Sequence, residues 1–348
     1  MKHEPKTILD FCPNWVGDVV MATPFFQCLR DHYHSTTITG VIRRYAKGVI
    51  EDGPWFDHIV DYNDNTTGSL YNLVKTLRHL KPDMAVIMPN SFRSALIARL
   101  SGAKHVVGYK RNGRSFLISS GPRPVQSKRT ILPVPMVTYY MEICKYLNIN
   151  APETTKPSLF ISDALNKQGE KLLNTYKIGS DDMVIGLNPG AKFGASKCWP
   201  PEYFARLAEM LQEQYNCKIL LLTGPGEEKI ADIITEKSRA TLINTAPDRV
   251  NLALLKHLIK RCDLLITNDT GPRHYAVAFD IPTLVIMGPT DQRYTNTNLE
   301  KTSVLRIELD CSPCHKSQCP LNHECMRMIT PENVMQESKI LLERSNNT

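Results

Sequence analysis

No stretch of this 348-residue chain approaches the ~20 consecutive apolar residues of a membrane-spanning helix, which argues against a helical membrane protein. The N-terminal MKHEPKTILDFCPNW has only a short apolar stretch, closed by Pro13, with no small-residue cleavage site behind it. It does not read as a secretion signal, so the expected location is the cytoplasm. There is no G-x-x-x-x-G-K-S/T phosphate loop. Gly224-Pro225-Gly226 lacks the third glycine of a dinucleotide fingerprint, and Pro225 stiffens it. Asp-x-Asp is missing throughout, as are internal repeats and low-complexity tracts. No nucleic-acid-binding motif is present, so no nucleic-acid partner is expected.

What remains is a normal soluble composition, 42% hydrophobic and 22% charged, long enough to fill two cores of ordinary size. The net charge of +7 suits plain solubility or an acidic partner such as a phosphorylated glycan or an anionic membrane face. Strand-like apolar runs at 8–12, 37–42, 58–61 and 84–88 alternate with helical patterns at 18–32, 70–80 and 92–100. Residues 148–157, rich in turn and breaker residues, read as a boundary. The alternation then restarts, with strands at 183–187, 218–223, 264–267 and 283–287 and helices at 162–176, 202–214 and 332–342. The pattern predicts two doubly wound α/β domains, residues 1–160 and 161–348, each a parallel sheet covered by helices.

In the second half, each of the four strands runs into a Gly-bearing polar turn: 188–194, 224–228, 268–271 and 288–290. One such turn is ordinary strand-ending chemistry. Four on the C-terminal edge of a parallel sheet point to a nucleotide site, because doubly wound folds bind ligands there. The candidate donor-site residues are Asn188, Gly190, Lys192, Glu227, Glu228, Asp269, Thr270, Gly271 and His274. Backbone N–H groups at the helix opened by Thr270-Gly271 suit a phosphate. Lys197 suits neutralisation of a diphosphate, and Glu227 or Glu228 suits ribose hydroxyls. With no Asp-x-Asp pair to chelate a metal, a basic, metal-free diphosphate site is expected and no cofactor is required for catalysis.

In the first half, Asn14-Trp15-Val16-Gly17-Asp18 follows the first strand at a helix start. Asp18 either caps that helix or faces the ligand as a general base. Gly17 allows a close backbone approach, and Trp15 lies beside it. Asn90, Ser91 and Arg93 follow the strand at 84–88, and Arg111 and Arg114 form a further basic loop. Arginines suit bidentate recognition of phosphate or carboxylate, although each alone also fits a solvated loop.

Asn-Trp-Val-Gly-Asp at 14–18, Pro-Asn-Ser-Phe-Arg-Ser-Ala-Leu at 89–96, Asn-Pro-Gly-Ala-Lys-Phe-Gly at 188–194, Lys-Cys-Trp-Pro at 197–200 and Asn-Asp-Thr-Gly at 268–271 occur in order over nearly the whole chain. In these segments the sequence resembles the lipopolysaccharide heptosyltransferases of glycosyltransferase family 9, above all the heptosyltransferase II group. The resemblance implies a GT-B fold, two Rossmann-like domains facing a cleft. It implies an inverting transfer of L-glycero-D-manno-heptose from ADP-heptose to the first heptose of the lipopolysaccharide inner core, on Kdo–lipid A. It makes Asp18 the general base and Lys197 the group that stabilises the departing diphosphate. It assigns the acceptor to the N-terminal domain and the ADP-sugar to the C-terminal one. A peripheral contact with the cytoplasmic face of the inner membrane is a further expectation. The alternatives are a family member with another sugar or acceptor, a GT-B-fold sugar-nucleotide epimerase, and a metal-stabilised binding module. The family's usual Gly-Leu-x-His appears here as Gly271-Pro272-Arg273-His274, which leaves Arg273 either against phosphate or in solvent.

Most of the ten cysteines are scattered and read as small buried hydrophobes. Cys311, Cys314, Cys319 and Cys325 cluster as C-x2-C-x4-C-x5-C. The first pair has metal-ligand spacing, which raises a structural zinc; an iron–sulfur cluster and a reduced cysteine-rich loop are the other readings.

Overall fold

A computed structural model describes residues 4–63, 68–128, 130–152 and 154–346. The chain forms two compact units, Met1–Phe160 with Arg293–Thr295, and Ile161–Gln292 with Asn296–Thr348.

The first unit carries strands β1 (Thr7–Phe11), β2 (Thr37–Arg43), β3 (His58–Tyr62), β4 (Met84–Ile87) and β5 (His105–Gly108). They form one parallel sheet in the order β3-β2-β1-β4-β5. A small antiparallel pair, β6 (Gln126–Ser127) with β7 (Thr130–Ile131), lies outside it. The second unit carries β8 (Val184–Asn188), β9 (Lys218–Leu221), β10 (Leu242–Asn244), β11 (Leu264–Asn268), β12 (Thr283–Ile286) and β13 (Thr302–Leu305). Their order is β10-β9-β8-β11-β12-β13, again all parallel. Each sheet winds outward from its first strand and then reverses, between β1 and β4 in one and between β8 and β11 in the other. The reversal opens a crevice at the strand C-termini, the ligand position of a Rossmann-like sheet.

These strands are continuous apolar runs because helices cover both sheet faces. Every residue of β4 and of β8 is buried. Leu9, Phe11, Ile87 and Val106 lie in the first core. Ile185, Leu187, Ile266, Trp199 and Phe204 lie in the second, where Val334, Leu341 and Leu342 of the terminal helix Pro331–Asn346 join them.

Two departures from the sequence pattern have local causes. The single helix expected over 18–32 is two, Val16–Met21 and Thr23–His32. Pro24 lacks the N–H that would continue the ladder, and Thr23 turns its hydroxyl back onto the Val20 carbonyl at 2.8 Å. The short run of β5 and the helices Met136–Tyr146, Glu228–Lys237 and Leu252–Lys260 were not anticipated. Among the described residues no helix is long and apolar enough to cross a membrane.

Candidate active site

At the second unit's reversal, Asp269 follows β11 directly and gathers three partners. Lys197 Nζ lies 2.8 Å from Asp269 Oδ2 and donates to the Asp269 carbonyl at 2.7 Å. Arg273 Nη1 lies 2.8 Å from Oδ1, and the Thr290 hydroxyl donates to Oδ2 at 2.6 Å. Burial would raise the Asp269 carboxyl, but Lys197 and Arg273 outweigh it and hold the group well below the carboxylate range. One carboxylate between two cations leaves the cluster at +1. Arg273 is therefore neither in solvent nor a surface phosphate contact: it is 1% exposed and serves as the second counter-charge. His274 is buried beside it, and desolvation, then the Arg273 charge, push its imidazole down to about 3. It is neutral at physiological pH.

The loop that delivers Lys197 is tied at both ends. Trp199 is fully buried, its indole N–H donating to the Ile329 carbonyl at 2.7 Å. Asn268, the last residue of β11, accepts from the Trp199 N–H at 3.0 Å and donates to the Pro189 carbonyl at 2.6 Å. On the other side stands the cysteine-rich segment. The Ser196 hydroxyl donates to the Lys316 carbonyl at 2.5 Å, the Ser196 N–H to the Ser317 carbonyl at 3.1 Å, and His323 Nε2 lies 2.7 Å from the Ser196 carbonyl. Gly194 has φ +147°, and a Cβ there would stand 2.3 Å from the Ser317 oxygen, so only glycine permits the approach. The same segment grips the turn after β12: Ser312 donates to the Gly288 carbonyl at 2.7 Å, and the Cys314 and His315 N–H groups donate to the Pro289 carbonyl. It thus braces the loops that supply Lys197 and Thr290.

Cys311, Cys314, Cys319 and Cys325 are free thiols. Among the described residues, no three His, Cys, Asp or Glu side chains are gathered closely enough to hold a metal ion. Burial, then the neighbouring Cys319, Cys311 and Cys314, push the Cys325 thiol up to about 11, so the segment brings the four thiols near one another. The same segment makes the backbone contacts to the two loops.

Of the other candidates in this unit, Glu227 and Glu228 separate clearly. Glu227 is half-buried and accepts from the Gly224 N–H at 2.7 Å; a Cβ on Gly190 would stand 2.0 Å from its carboxylate. Gly190 is the vacancy that admits Glu227 to the sheet edge. Burial raises the Glu227 carboxyl. Glu228 is exposed and turned onto the Gly226 N–H. Lys192 is exposed, close enough to Glu227 to act on its charge. Asn188 differs from expectation. Its amide donates to the Leu222 carbonyl at 3.0 Å and accepts from Thr267 at 3.1 Å, so it binds β8 to its neighbours. Thr270 and Gly271 open the helix Gly271–Ala278, and Thr270 makes no side-chain cap.

In the first unit, Asp18 is the third residue of Val16–Met21, half-buried, at the C-terminal end of β1. Gly17 is half-buried beside it and Trp15 is 52% exposed. Across the reversal, β4 leads to Asn90 and Ser91, and Ser91 caps the helix Phe92–Leu100. Arg93 is exposed and Arg111 half-buried. Arg114 has a different role from the one its type suggested. It is fully buried, with Nη2 donating to Asn90 Oδ1 at 2.9 Å and to the Tyr109 carbonyl at 3.1 Å, and Nη1 to the Pro89 and Ser91 carbonyls. It locks the 89–91 turn. Tyr139, which sequence reasoning missed, donates to the same Asn90 oxygen at 3.0 Å and stacks on Tyr109 with centroids 3.8 Å apart.

Two Rossmann-like parallel units, the second with a cationic cluster at its strand reversal, define a glycosyltransferase of the GT-B class. The glycosyltransferase family 9 (heptosyltransferase) model matches residues 70–324, and the chain belongs to that family. It is 29% identical to lipooligosaccharide heptosyltransferase 2 of Haemophilus influenzae, covering 97% of this chain and 99% of that one. It is 26% identical to lipopolysaccharide heptosyltransferase 2 of Escherichia coli, covering 96% and 98%. The solved structure of the E. coli ADP-heptose LPS heptosyltransferase II superposes with a TM-score of 0.80 at 25% identity, over 98% of this chain and 99% of the other.

Proposed function

We propose that the protein transfers heptose from ADP-heptose to a heptose already attached to the lipopolysaccharide inner core, at the cytoplasmic face of the inner membrane. The observation that carries this is the Lys197–Asp269–Arg273 cluster at the reversal of the second sheet, in a chain similar over its full length to heptosyltransferases 2. The epimerase alternative has no comparable support.

The reading divides the work by charge. The donor diphosphate leaves as an anion and meets the +1 cluster, with Lys197 at its exposed side, and the N-terminal N–H groups of Gly271–Ala278. His274, neutral, donates or accepts a hydrogen bond without adding charge. Glu227 rather than Glu228 takes the ribose hydroxyls. Asp18 removes the proton of the acceptor hydroxyl as it attacks the anomeric carbon, while the exposed Arg93 and the half-buried Arg111 hold anionic groups of the acceptor. One displacement with one base inverts the anomeric centre and needs no covalent enzyme intermediate.

The test is ADP release from ADP-heptose, with and without a monoheptosylated Kdo–lipid A acceptor. Acceptor-dependent release that Asp18→Ala abolishes, with ADP binding retained, is the expected result. Release from wild type that ignores the acceptor would overturn the reading.

A further inference from the structure

Charge is distributed very unevenly along the chain. Residues 1–160 hold 20 Lys and Arg against 12 Asp and Glu, whereas 161–348 hold 22 against 23, so the +7 resides in the first part. Residues 84–141 contain nine Lys and Arg and no acidic residue at all. This stretch includes β4, β5 and the turns at their C-terminal ends.

The fold brings two large aromatic side chains to that same edge. Phe92 opens the helix after β4 and is 48% exposed; Phe116 follows β5 and is 72% exposed. Their ring centroids are 6.0 Å apart. The 110–114 loop is tied to the 89–91 turn, Asn112 donating to the Asn90 carbonyl at 3.0 Å and Arg114 to Asn90 Oδ1 at 2.9 Å. Exposed Arg93 follows Phe92 in the chain, and exposed Lys110 and half-buried Arg111 belong to the loop that these bonds tie to the 89–91 turn. An exposed pair of rings on a stretch of chain rich in Lys and Arg and free of Asp and Glu matches the chemistry of a bilayer interface. The rings enter between headgroups, and each nearby cation is drawn to anionic lipid. A nucleic-acid duplex would meet the cations with its phosphates but keeps its bases stacked away from the rings, and the sequence carries no nucleic-acid-binding motif.

We propose that the Phe92–Phe116 tip, with Arg93, Lys110 and Arg111, docks the first unit onto an anionic lipid bilayer. The proposal rests on the reading of a glycolipid acceptor only in that it would put the acceptor edge against the membrane that holds it. The docking itself requires no turnover.

Co-sedimentation of the full chain with vesicles of phosphatidylethanolamine and phosphatidylglycerol tests it, against vesicles of phosphatidylcholine alone. Wild type should bind the phosphatidylglycerol vesicles selectively and release at high salt. Phe92→Ser with Phe116→Ser should weaken partitioning about tenfold for each ring, whose burial is lost. The same variant should turn over a deacylated, soluble acceptor at the wild-type rate, which also checks that it is folded. Equal binding by wild type and variant, or no preference for phosphatidylglycerol, would overturn the proposal. So would binding that appears only when acceptor glycolipid is in the vesicle, or a dimer that the double substitution disperses. Turnover lost on the soluble acceptor would instead place the two rings in the acceptor site. Absence of any turnover by wild type would refute the functional reading while leaving the vesicle result standing.

Discussion

At the scale of single residues, two carboxyl groups behave in opposite ways because their neighbours differ. Asp269 is 7% exposed and held ionised by Lys197 and Arg273. Asp269→Asn leaves two cations without their counter-charge. It should cost about 3–5 kcal/mol, as breaking a buried pair from one side does, read as a lower urea midpoint. Because its folded value is depressed, the contribution of Asp269 is complete above the unfolded carboxylate value of about 3.9 and is lost as pH falls below it. Asp10, in the middle of β1, is fully buried, and neither carboxyl oxygen has a hydrogen-bond partner among the described residues. Desolvation raises it well above the ordinary value. Its share of stability is complete below the unfolded value and is lost as pH rises through the folded one. Asp10→Val should therefore gain about 1–3 kcal/mol at neutral pH and lose that decline with rising pH. Urea unfolding at several pH values checks both, and parallel pH profiles of wild type and variant would contradict the Asp10 assignment.

At the scale of elements, the cysteine-rich segment is a brace for the loops that carry Lys197 and Thr290, which the proposed function places at the donor. His323 reaches the Ser196 carbonyl, one residue before Lys197. His323→Ala removes one hydrogen bond and should cost only about 1 kcal/mol of stability. Its effect on turnover should be larger, about tenfold in kcat, because a loosened Lys197 stabilises the leaving diphosphate less well. Steady-state kinetics beside a thermal melt would separate the two, and an unchanged kcat would show that the brace is dispensable. Trp199→Ala is the contrasting change. It empties a fully buried site and should destabilise the second unit by about 3–5 kcal/mol.

At the scale of the whole molecule, the proposed function gives the two units different halves of the reaction, so their ligands should be separable. ADP binds the second unit in this reading and should stabilise wild type and Asp18→Ala alike, by about 2.7 kcal/mol at a hundredfold excess over Kd, read as a raised melting temperature. Lys197→Ala should lose most of that shift. A calorimetric titration in which Asp18→Ala alone abolished ADP binding would move Asp18 out of its assigned role.

Apolar periodicity and turn chemistry were enough to find most of the sheet strands and the edge on which Asp18, Lys197 and Asp269 fall. In parallel sheets a continuous apolar run ending in a Gly-bearing turn is a local signal. The break at Ala22, the short β5 and the helix Met136–Tyr146 were not legible, because short or evenly apolar runs fit several elements equally well. Within the site, residue types and positions could be read from the chain, but pairings could not. Arg273 and Arg114 look like surface cations until the fold buries them, one against Asp269 and one in the 89–91 turn. Glu227 and Glu228 are alike in sequence and differ only because Gly190, on a neighbouring strand's turn, leaves room for one of them. The cysteine spacing suggested a metal but gave no sign that the same segment holds the Lys197 and Thr290 loops. Apart from Arg273, which meets Asp269 one helical turn away, such roles depend on contacts between residues 24 to 130 positions apart, for which the local pattern has no signal.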